Sequence, residues 1–341
     1  SDCNYPFRFP ANSKIIYKED IFQFTHSSQI LASGKNYHFI IPYIDNNSNA
    51  GGDGIFNENC DYIKKLTIGD DGLNPSTIPE NCFNNSDELN SVTFNNVASI
   101  GKQAFYSIPN LDINFSEGLT SIGESAFAYM SGIGTLELSL PNSLTDIGKY
   151  VFQESTRLKK ITSLGGLTKI SSRAFSGCNN LESIDFASTT LLYFDGEAFK
   201  NCDSLISLDF APATALTNIG GSAFYSCNNL ASITDFGSVK NIGSNAFYAC
   251  NNLASLNFAS STVLINIAYG AFHNCTSITS LELPINLKVL GNTSFKGCNN
   301  ITQLTSTGSS TIQDPTSTDA LVFQTAFDGC TKLSVINLSN T

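Results

Sequence analysis

The sequence lacks several features that mark common classes of protein. It contains no tryptophan, one methionine and three histidines, and only 14% of its residues are charged. Lysine and arginine number 18 against 29 acidic residues, which gives a formal net charge of −11, and basic residues cluster no further than pairs such as Lys159–Lys160. Because nucleic acid and anionic lipid are bound through basic patches, we expect no nucleic-acid partner.

Long apolar runs are absent as well. The longest candidate, Tyr37–Ile44, is interrupted by His38 and Pro42, whereas a helix that spans a membrane needs about 20 apolar residues. We therefore expect no membrane insertion. No signal peptide is recognisable after Ser1, which leaves open whether a targeting segment precedes this residue.

Groups that form catalytic and metal sites are scarce. His26 and His273 are expected at the surface and His38 half-buried in a strand, and no nucleophile elbow, phosphate loop or metal motif is found. Residues 51–54 and 69–72 combine Gly and Asp as calcium loops do, but they lack alternate carboxylates and are expected to form turns. The sequence therefore predicts a protein that is not an enzyme, with no cofactor and no metal.

What the sequence does have is an internal repeat. One phenylalanine recurs at steps of 22 to 25 residues, followed by a last step of 32. The eleven positions are Phe83, Phe105, Phe127, Phe152, Phe175, Phe199, Phe224, Phe247, Phe272, Phe295 and Phe327. An apolar residue stands five positions before each of them, and Leu or Ile stands six positions after, with two further apolar positions nine and eleven after in most copies.

The repeat predicts a solenoid. The segment Leu253–Phe258 alternates as a strand does. One coil of about 23 residues cannot bury its own apolar side, but coils stacked about 4.8 Å apart can, with their strands paired in parallel. We expect a mainly β solenoid of eleven to twelve coils, with the repeat phenylalanines pointing inward as one column. The Ala-Phe-x-x-Cys segment is predicted to be a tight or 3₁₀ turn.

A glycine recurs four positions before the phenylalanine. Such a slot requires either a positive φ or a close approach of two backbones. The six glycines are Gly101, Gly123, Gly148, Gly220, Gly243 and Gly291.

The pattern also resembles a known family. Its clearest copy is Leu216-Thr217-Asn218-Ile219-Gly220, then Ala223-Phe224, Cys227, Leu230 and Ile233. It is similar to the BspA-like leucine-rich repeats of bacterial and protist surface proteins, and the resemblance covers residues from about 55 to 341. It implies a right-handed leucine-rich-repeat solenoid in an extracellular or surface-attached protein. The chain departs from the commoner leucine-rich consensus, since its cysteines precede the strand.

Seven of the ten cysteines share one slot, three positions after the repeat phenylalanine. They are Cys178, Cys202, Cys227, Cys250, Cys275, Cys298 and Cys330. Ser, Ile or Met fills the slot in other copies, so the pattern favours buried free thiols that act as small apolar groups. Disulfides between neighbouring coils remain an alternative, and zinc is disfavoured because no paired C-x-x-C spacing occurs. Cys60 is placed in the same slot, Cys82 in the core, and Cys3 outside the ladder.

The two ends do not follow the repeat. Residues 1–54 contain three predicted strands, and we expect a small N-terminal β cap before a solenoid at 55–341. The polar stretch at about 305–319 is predicted to be an insertion. The sequence stops at Thr341, directly after a strand, which suggests end-to-end self-association through the C-terminal coil.

Two stripes are candidate binding surfaces. Ten positions after the phenylalanine, an outward strand position carries Glu137, Asp185, Asp209, Asn257 and Glu282 in five of the copies. One position after it, a second stripe carries Tyr225, Tyr248 and His273 in consecutive copies. Plain solvation is the alternative interpretation of the first stripe, and edge filling over the turn that of the second. Tyrosine offers an apolar ring and a polar tip to a partner.

These observations lead to one functional prediction with one alternative. With the family resemblance, they favour a non-enzymatic, adhesin-like module that binds a host or neighbouring-cell protein or glycan. The alternative is a passive structural spacer that displays other domains of a surface protein. Fold alone does not decide between them.

Overall fold

The computed structural model describes residues 14–17, 20–23, 37–41, 63–68, 76–187, 190–258, 261–306 and 324–338. Nearly all regular structure is strand, apart from one helical turn at 324–326. The strands are β1 (Lys14–Tyr17), β2 (Asp20–Gln23), β3 (Tyr37–Ile41), β4 (Ile63–Ile68), β5 (Ser76–Ile78), β6 (Ser91–Phe94), β7 (Val97–Ile100), β8 (Asp112–Asn114), β9 (Ser121–Ile122), β10 (Leu136–Leu140), β11 (Asp146–Ile147), β12 (Leu158–Leu164), β13 (Lys169–Ile170), β14 (Ser183–Ile184), β15 (Tyr193–Phe194), β16 (Ser207–Asp209), β17 (Asn218–Ile219), β18 (Ser232–Asp235), β19 (Asn241–Ile242), β20 (Ser255–Leu256), β21 (Asn266–Ile267), β22 (Ser280–Leu283), β23 (Val289–Leu290), β24 (Gln303–Ser306) and β25 (Val335–Leu338).

From β4 onward the strands alternate between two sides of a parallel solenoid. The even-numbered strands and β25 form the main side, in hydrogen-bonded groups that end at β8, at β14 and at β20. The odd-numbered strands β5 to β23 form the second side, in two groups. Neighbours pair in parallel, as in Ser280↔Gln303 and Ile242↔Ile267, which confirms the predicted architecture.

The repeat phenylalanines form the predicted inward column. All eleven are buried, with Phe327 the most exposed at 8%. Ten consecutive pairs stack with ring centroids 5.0–5.5 Å apart and planes within 13° of parallel. Eleven coils therefore contribute to the column, joined by ten stacking contacts, as the predicted solenoid requires.

The turn that carries each phenylalanine bonds to the next coil although it is not a strand. Phe105 N–H donates to the Ala126 oxygen at 2.9 Å, and Gln103 and Ser107 make equivalent bonds. The residues two before and two after the phenylalanine have positive φ in nearly every coil, including Tyr150 at 60° and Glu197 at 61°. The predicted tight turn is therefore present, and its left-handed residues rule out a continuous 3₁₀ helix.

The glycine slot proves to be a close approach of backbones. None of the six glycines has a positive φ, so the positive-φ alternative is wrong. A Cβ added at Gly101 would lie 2.5 Å from the Glu80 nitrogen, and one added at Gly148 would lie 2.3 Å from the Glu124 nitrogen. At these positions only glycine fits without a shift of the backbone. The same slot holds Ser171, Asp195 and Ala268 in other coils.

One coil departs from the predicted register. Ile133 was expected in the core, but it is 90% exposed, and Leu136 is buried in its place opposite Leu158. The loop before β10 is longer here, and its extra residues push Ile133 outward. Glu137 therefore lies opposite Lys160, which shares a register with Ser183, so it is not in line with Asp185 as the sequence suggested.

A buried arginine fills the break that this loop leaves between β8 and β10. Arg157 is 5% exposed and reaches past the intervening coil. Its Nη1 donates to the Leu111 oxygen at 2.7 Å and its Nη2 to Asp112 Oδ1 at 2.6 Å. Two coils that are not sequence neighbours are thereby joined.

The ends are described only in part. The three predicted N-terminal strands are present, with β1 antiparallel to β2 and β3, and β3 parallel to β4. The domain boundary at 54/55, the two Gly-Asp segments, His26, Cys3 and Cys60 lie outside the described residues, as do residues 307–319 of the predicted insertion. The cap, the boundary and the insertion stay predictions.

The last described strand has an open apolar side. Ile336 is in register with Leu304, which is 1% exposed, yet Ile336 itself is 61% exposed. Self-association at this coil stays a prediction. Within the described ranges no helix is long and apolar enough to cross a membrane.

Replacing Phe199 by Ala tests the column. We expect the free energy of unfolding to fall by about 3–5 kcal/mol, because truncating a buried phenylalanine leaves a cavity. The measurement is urea denaturation followed by circular dichroism. The control is Tyr193→Ala, at a ring 36% exposed on β15, for which we expect a loss below about 1 kcal/mol. Equal losses in the two variants would contradict the proposed importance of the column.

Two buried serines give a matched pair with opposite expectations. Ser155 Oγ donates to the Phe127 oxygen at 2.8 Å and accepts from Met130 N–H at 3.3 Å. Ser294 occupies the slot before the phenylalanine that is Ala in most coils, and its buried Oγ has no hydrogen-bond partner among the described residues. By the same denaturation assay we expect Ser155→Ala to lose about 1–2 kcal/mol and Ser294→Ala to lose nothing or gain up to about 1 kcal/mol. Destabilisation by both would show that Ser294 has a partner after all.

Candidate functional site

The strand face consists of the outward side chains of the even-numbered strands from β10 to β24 and of the residues that directly follow these strands. Four of the predicted positions, Asp185, Asp209, Asn257 and Glu282, are exposed on it. Their outward orientation follows from strand alternation, as in β22, where exposed and buried residues alternate. The structure therefore brings these four residues to one surface of the solenoid.

Several of these polar groups already have partners within the chain. Asp185 Oδ1 accepts the Ala187 N–H at 2.8 Å and Asp209 Oδ1 accepts the Ala211 N–H at 3.1 Å, which turns the chain after each strand. Asn257 Nδ2 donates to the Thr234 oxygen at 2.9 Å. Glu137 lies 3.4 Å from Lys160 Nζ in an exposed ion pair. Part of this face is thus a hydrogen-bonded ladder between coils.

A concavity interrupts the strand face where β14 and β16 are not hydrogen-bonded to each other. Its volume is about 380 Å³. The lining residues are Ile161, Thr162, Ser183, Ile184, Asp185, Phe186, Asp209 and Pro212. We call it the strand-break groove. It contains two of the predicted site residues, and the sequence alone gave no sign of the break.

The turn face consists of the outward side chains of the turns that carry the repeat phenylalanines. On it Tyr225 and Tyr248 stack with centroids 4.7 Å apart and planes 4° from parallel. His273 packs beside Tyr248 with centroids 4.8 Å apart, but its ring is tilted by 53° and does not lie parallel. Lys200 Nζ lies 5.2 Å from the centre of the Tyr225 ring. The three predicted residues are therefore brought together as one column, which we call the turn-face column, with Lys200 at its end.

The column continues into residues that the sequence did not reveal. Glu197 accepts from Arg173 at 2.9 Å and from Lys200 at 3.0 Å, and Arg173 lies 5.8 Å from the centre of the Tyr150 ring. Lys200 shares the slot of Tyr225 and could have been found from the repeat. Tyr150, Arg173 and Glu197 stand two positions before the phenylalanine, and only the left-handed turn places them on this face.

Charges near the column shift its titratable groups. The hydrogen bond from Arg173 lowers the pKa of Glu197. Burial, followed by the charge of Lys296, lowers the pKa of His273 below its usual 6.5. His273 is therefore mostly neutral at pH 7, and the column consists of two stacked tyrosine rings and a tilted, uncharged imidazole.

The cysteine ladder has a role beyond filling space. Each of its seven thiols donates to the oxygen of the repeat phenylalanine in the preceding coil, at 3.1–3.3 Å. Ser155, which fills this slot in the coil of Phe152, makes the equivalent bond to the Phe127 oxygen of the preceding coil. All seven are free and buried, as is Cys82, which confirms the favoured interpretation. Burial raises their pKa, to about 11 for Cys330 and further above 9 for the others.

Clusters that could hold a metal are not found in the part of the chain that the structure describes. The thiols of the ladder are hydrogen-bonded to backbone oxygens, and His273 packs against Tyr248 with its ring tilted.

Comparison with protein families agrees with this geometry. The family described as BspA type Leucine rich repeat region matches the chain in six copies, over residues 52–140, 134–254 and 217–317. The chain belongs to this family. Parallel coils, the phenylalanine column and the cysteine slot are thus the three-dimensional form of the BspA-type repeat.

Solved structures include further leucine-rich-repeat proteins. A leucine rich cell surface protein from Faecalibacterium prausnitzii is 19% identical, with a TM-score of 0.46 over 91% of this chain and 95% of that one. A leucine-rich-repeat protein of T. pallidum is 23% identical, with a TM-score of 0.40 over 59% and 82%. The pneumococcal vaccine antigen PcpA is 18% identical, with a TM-score of 0.41 over 77% and 73%. No curated protein sequence matches the chain at a significant level.

The thiol ladder of this BspA-type chain makes a prediction about reactivity. After brief treatment of the native protein with iodoacetamide at pH 8, peptide mass spectrometry should show Cys227 unmodified and Cys330 modified more slowly than in urea. The reason is that alkylation needs an exposed thiolate, and burial raises both pKa values. Rapid native modification of Cys227 would contradict the ladder.

The raised pKa values of these thiols determine the direction in which the free energy of unfolding changes with pH. Their pKa values in the folded chain lie above the ordinary value of 9.0, so the unfolded chain loses protons first. The free energy of unfolding should therefore be unaffected by these groups below about pH 8 and fall as the pH rises through 9. Replacing Cys227 and Cys250 by Ser should reduce that fall.

Proposed function

We propose that the chain is a non-enzymatic, adhesin-like protein-binding module of an extracellular or surface-attached protein, and that the turn-face column contacts the partner. Membership of the BspA-type leucine-rich-repeat family supports a protein-binding role. The observation that carries the proposal is the half-buried aromatic column of Tyr225, Tyr248 and His273, next to Lys200. Aromatic side chains that are already ordered lose little entropy when a partner binds.

The geometry of the column favours a protein over a glycan. A sugar ring stacks on an open aromatic face, but both faces of Tyr225 are covered, one by Lys200 and one by Tyr248. Tyr248 has one face covered by Tyr225, and the tilted His273 ring lies 4.8 Å away on its other side. Ring edges and hydroxyl groups are what the column presents, and these suit the mixed polar and apolar contacts at the centre of protein interfaces.

A second candidate function is a passive spacer. It is favoured by the strand face, where Asp185, Asp209 and Asn257 are hydrogen-bonded within the chain. A spacer needs a regular, solvated surface and no ordered aromatic column.

A binding screen with matched variants separates the two functions. Purified extracellular proteins and a glycan array are tested against the wild type, the double variant Tyr225→Ala/Tyr248→Ala and the control Tyr193→Ala. For a protein ligand we expect the double variant to weaken Kd at least tenfold and the control less than twofold, because the first removes the centre of the contact. Folding of each variant is checked by thermal denaturation.

Three outcomes count against this proposal. Binding to no protein or glycan favours the spacer. Binding only to glycans contradicts the preference for protein. A protein ligand that binds the double variant as tightly as the wild type places the contact elsewhere.

A further inference from the structure

We propose that the strand-break groove is a second interaction site, one that takes a basic side chain from an extended segment of a partner protein. This goes beyond the turn-face column, which lies on a different side of the coil. The argument rests on the shape of the groove, its apolar floor and the charge around it.

The groove exists because two consecutive coils separate locally. β12 and β14 are paired, and β16 and β18 are paired, but β14 and β16 are not hydrogen-bonded to each other. A concavity of about 380 Å³ opens at this break. This volume lies near the lower end of the range for ligand clefts and has room for one long side chain.

The floor of the groove is apolar and its rim is acidic. Ile161 and Phe186 are buried beneath it, and Ile184 is half-exposed. Asp185 and Asp209 lie at the rim on successive coils and are exposed. Each uses Oδ1 for the turn that follows its strand, which leaves Oδ2 directed to no described hydrogen-bond donor.

The charge of this part of the strand face is not balanced. Strands β14 to β22 contain no lysine or arginine. The nearest strand cations, Lys159 and Lys160, pair with Glu182 and Glu137, and within the described ranges no cation lies at ion-pair distance from Asp185 or Asp209. Arginine and lysine combine an aliphatic stem with a charged tip. The stem fits the apolar floor and the tip fits the two carboxylates, so a basic polypeptide segment is the complementary partner.

The test uses two fluorescently labelled pentapeptides, Arg-Val-Arg-Val-Arg and the same peptide with citrulline in place of each arginine. Citrulline keeps the shape and removes the charge. Binding is measured by fluorescence anisotropy at 0.05 M and 0.15 M salt. We expect the arginine peptide to bind the wild type at least tenfold more tightly than the citrulline peptide.

Variants distinguish the groove from the general acidity of the chain. Asp185→Asn/Asp209→Asn keeps both Oδ1 acceptors and should weaken binding at least tenfold. Asp235→Asn/Glu282→Gln removes the same charge from the same face outside the groove and should change Kd less than threefold. Ser183→Tyr should block the groove without changing its charge, whereas Ser207→Tyr, at the same slot of the next coil, should not.

Several results would overturn the proposal. These are equal losses in the two charge variants, undiminished binding by Ser183→Tyr, equal affinity for the citrulline peptide, or displacement of the peptide by spermidine at an equal concentration. The last result would assign the groove to free polyamines instead. None of these outcomes depends on Tyr225 or Tyr248, so this proposal and the turn-face function fail separately.

Discussion

Face-to-face contact between the repeat phenylalanines sets the spacing that every other group in the solenoid must match. Ring centroids 5.0–5.5 Å apart hold neighbouring coils at the distance where strand and turn N–H groups meet the next coil's oxygens. The same spacing leaves no room for a Cβ at Gly101 or Gly148. It also brings each thiol of the cysteine ladder within reach of a phenylalanine oxygen that lies in the core. Most of these oxygens also accept the backbone N–H three residues further along, as Phe175 does from Cys178. The thiol therefore adds a second donor, and the slot can also hold Ile108 or Met130, which have none.

The spacing of the coils has different consequences on the strand face and on the turn face. Side chains on the strands repeat at the spacing of the coils and form hydrogen bonds to a neighbouring coil, as Asn257 does with the Thr234 oxygen. The turn face places larger side chains at the same interval, so Tyr225 stacks on Tyr248 and His273 packs against Tyr248 with its ring tilted. At the strand-break groove the hydrogen bonding between neighbouring strands is interrupted. There Asp185 and Asp209 have no cation at ion-pair distance within the described part of the chain. The turn-face column and the strand-break groove therefore both depend on the spacing of the coils. This spacing is regular on the turn face, and the strand pairing that goes with it is interrupted at the groove.

The sequence was sufficient for features that recur in every coil. Phe199, Cys227 and Leu230 could be placed because each occupies a slot with many copies, and the stacking that buries one copy buries the others. The aromatic part of the turn-face column followed for the same reason.

Features that occur once could not be placed. The 25-residue step after Phe127 shows that residues are added, but the equal step after Phe199 keeps its strand register, with Ser207 opposite Ser232. Step length alone does not say where the addition falls, so Ile133 was assigned to the core. Arg157 and the groove depend on breaks between strands, which are properties of two coils together. Tyr150 and Arg173 depend on backbone angles that no residue type at their slot requires, since Gln, Ser, Glu and Asn occupy it as well.

The direction of the hydrogen bonds has a mechanical consequence. Bonds between coils, from strand, turn and thiol alike, run along the solenoid axis, so a pull on the two ends loads one junction between coils at a time. Each coil that detaches frees 22 to 25 residues, or about 80 Å of extended chain, in place of about 5 Å of stacked length. Arg157 is an exception, because its bonds to Leu111 and Asp112 pass over one coil and clamp three together. Under tension the solenoid would lengthen stepwise from its ends, and the segment around Arg157 would be among the last to yield.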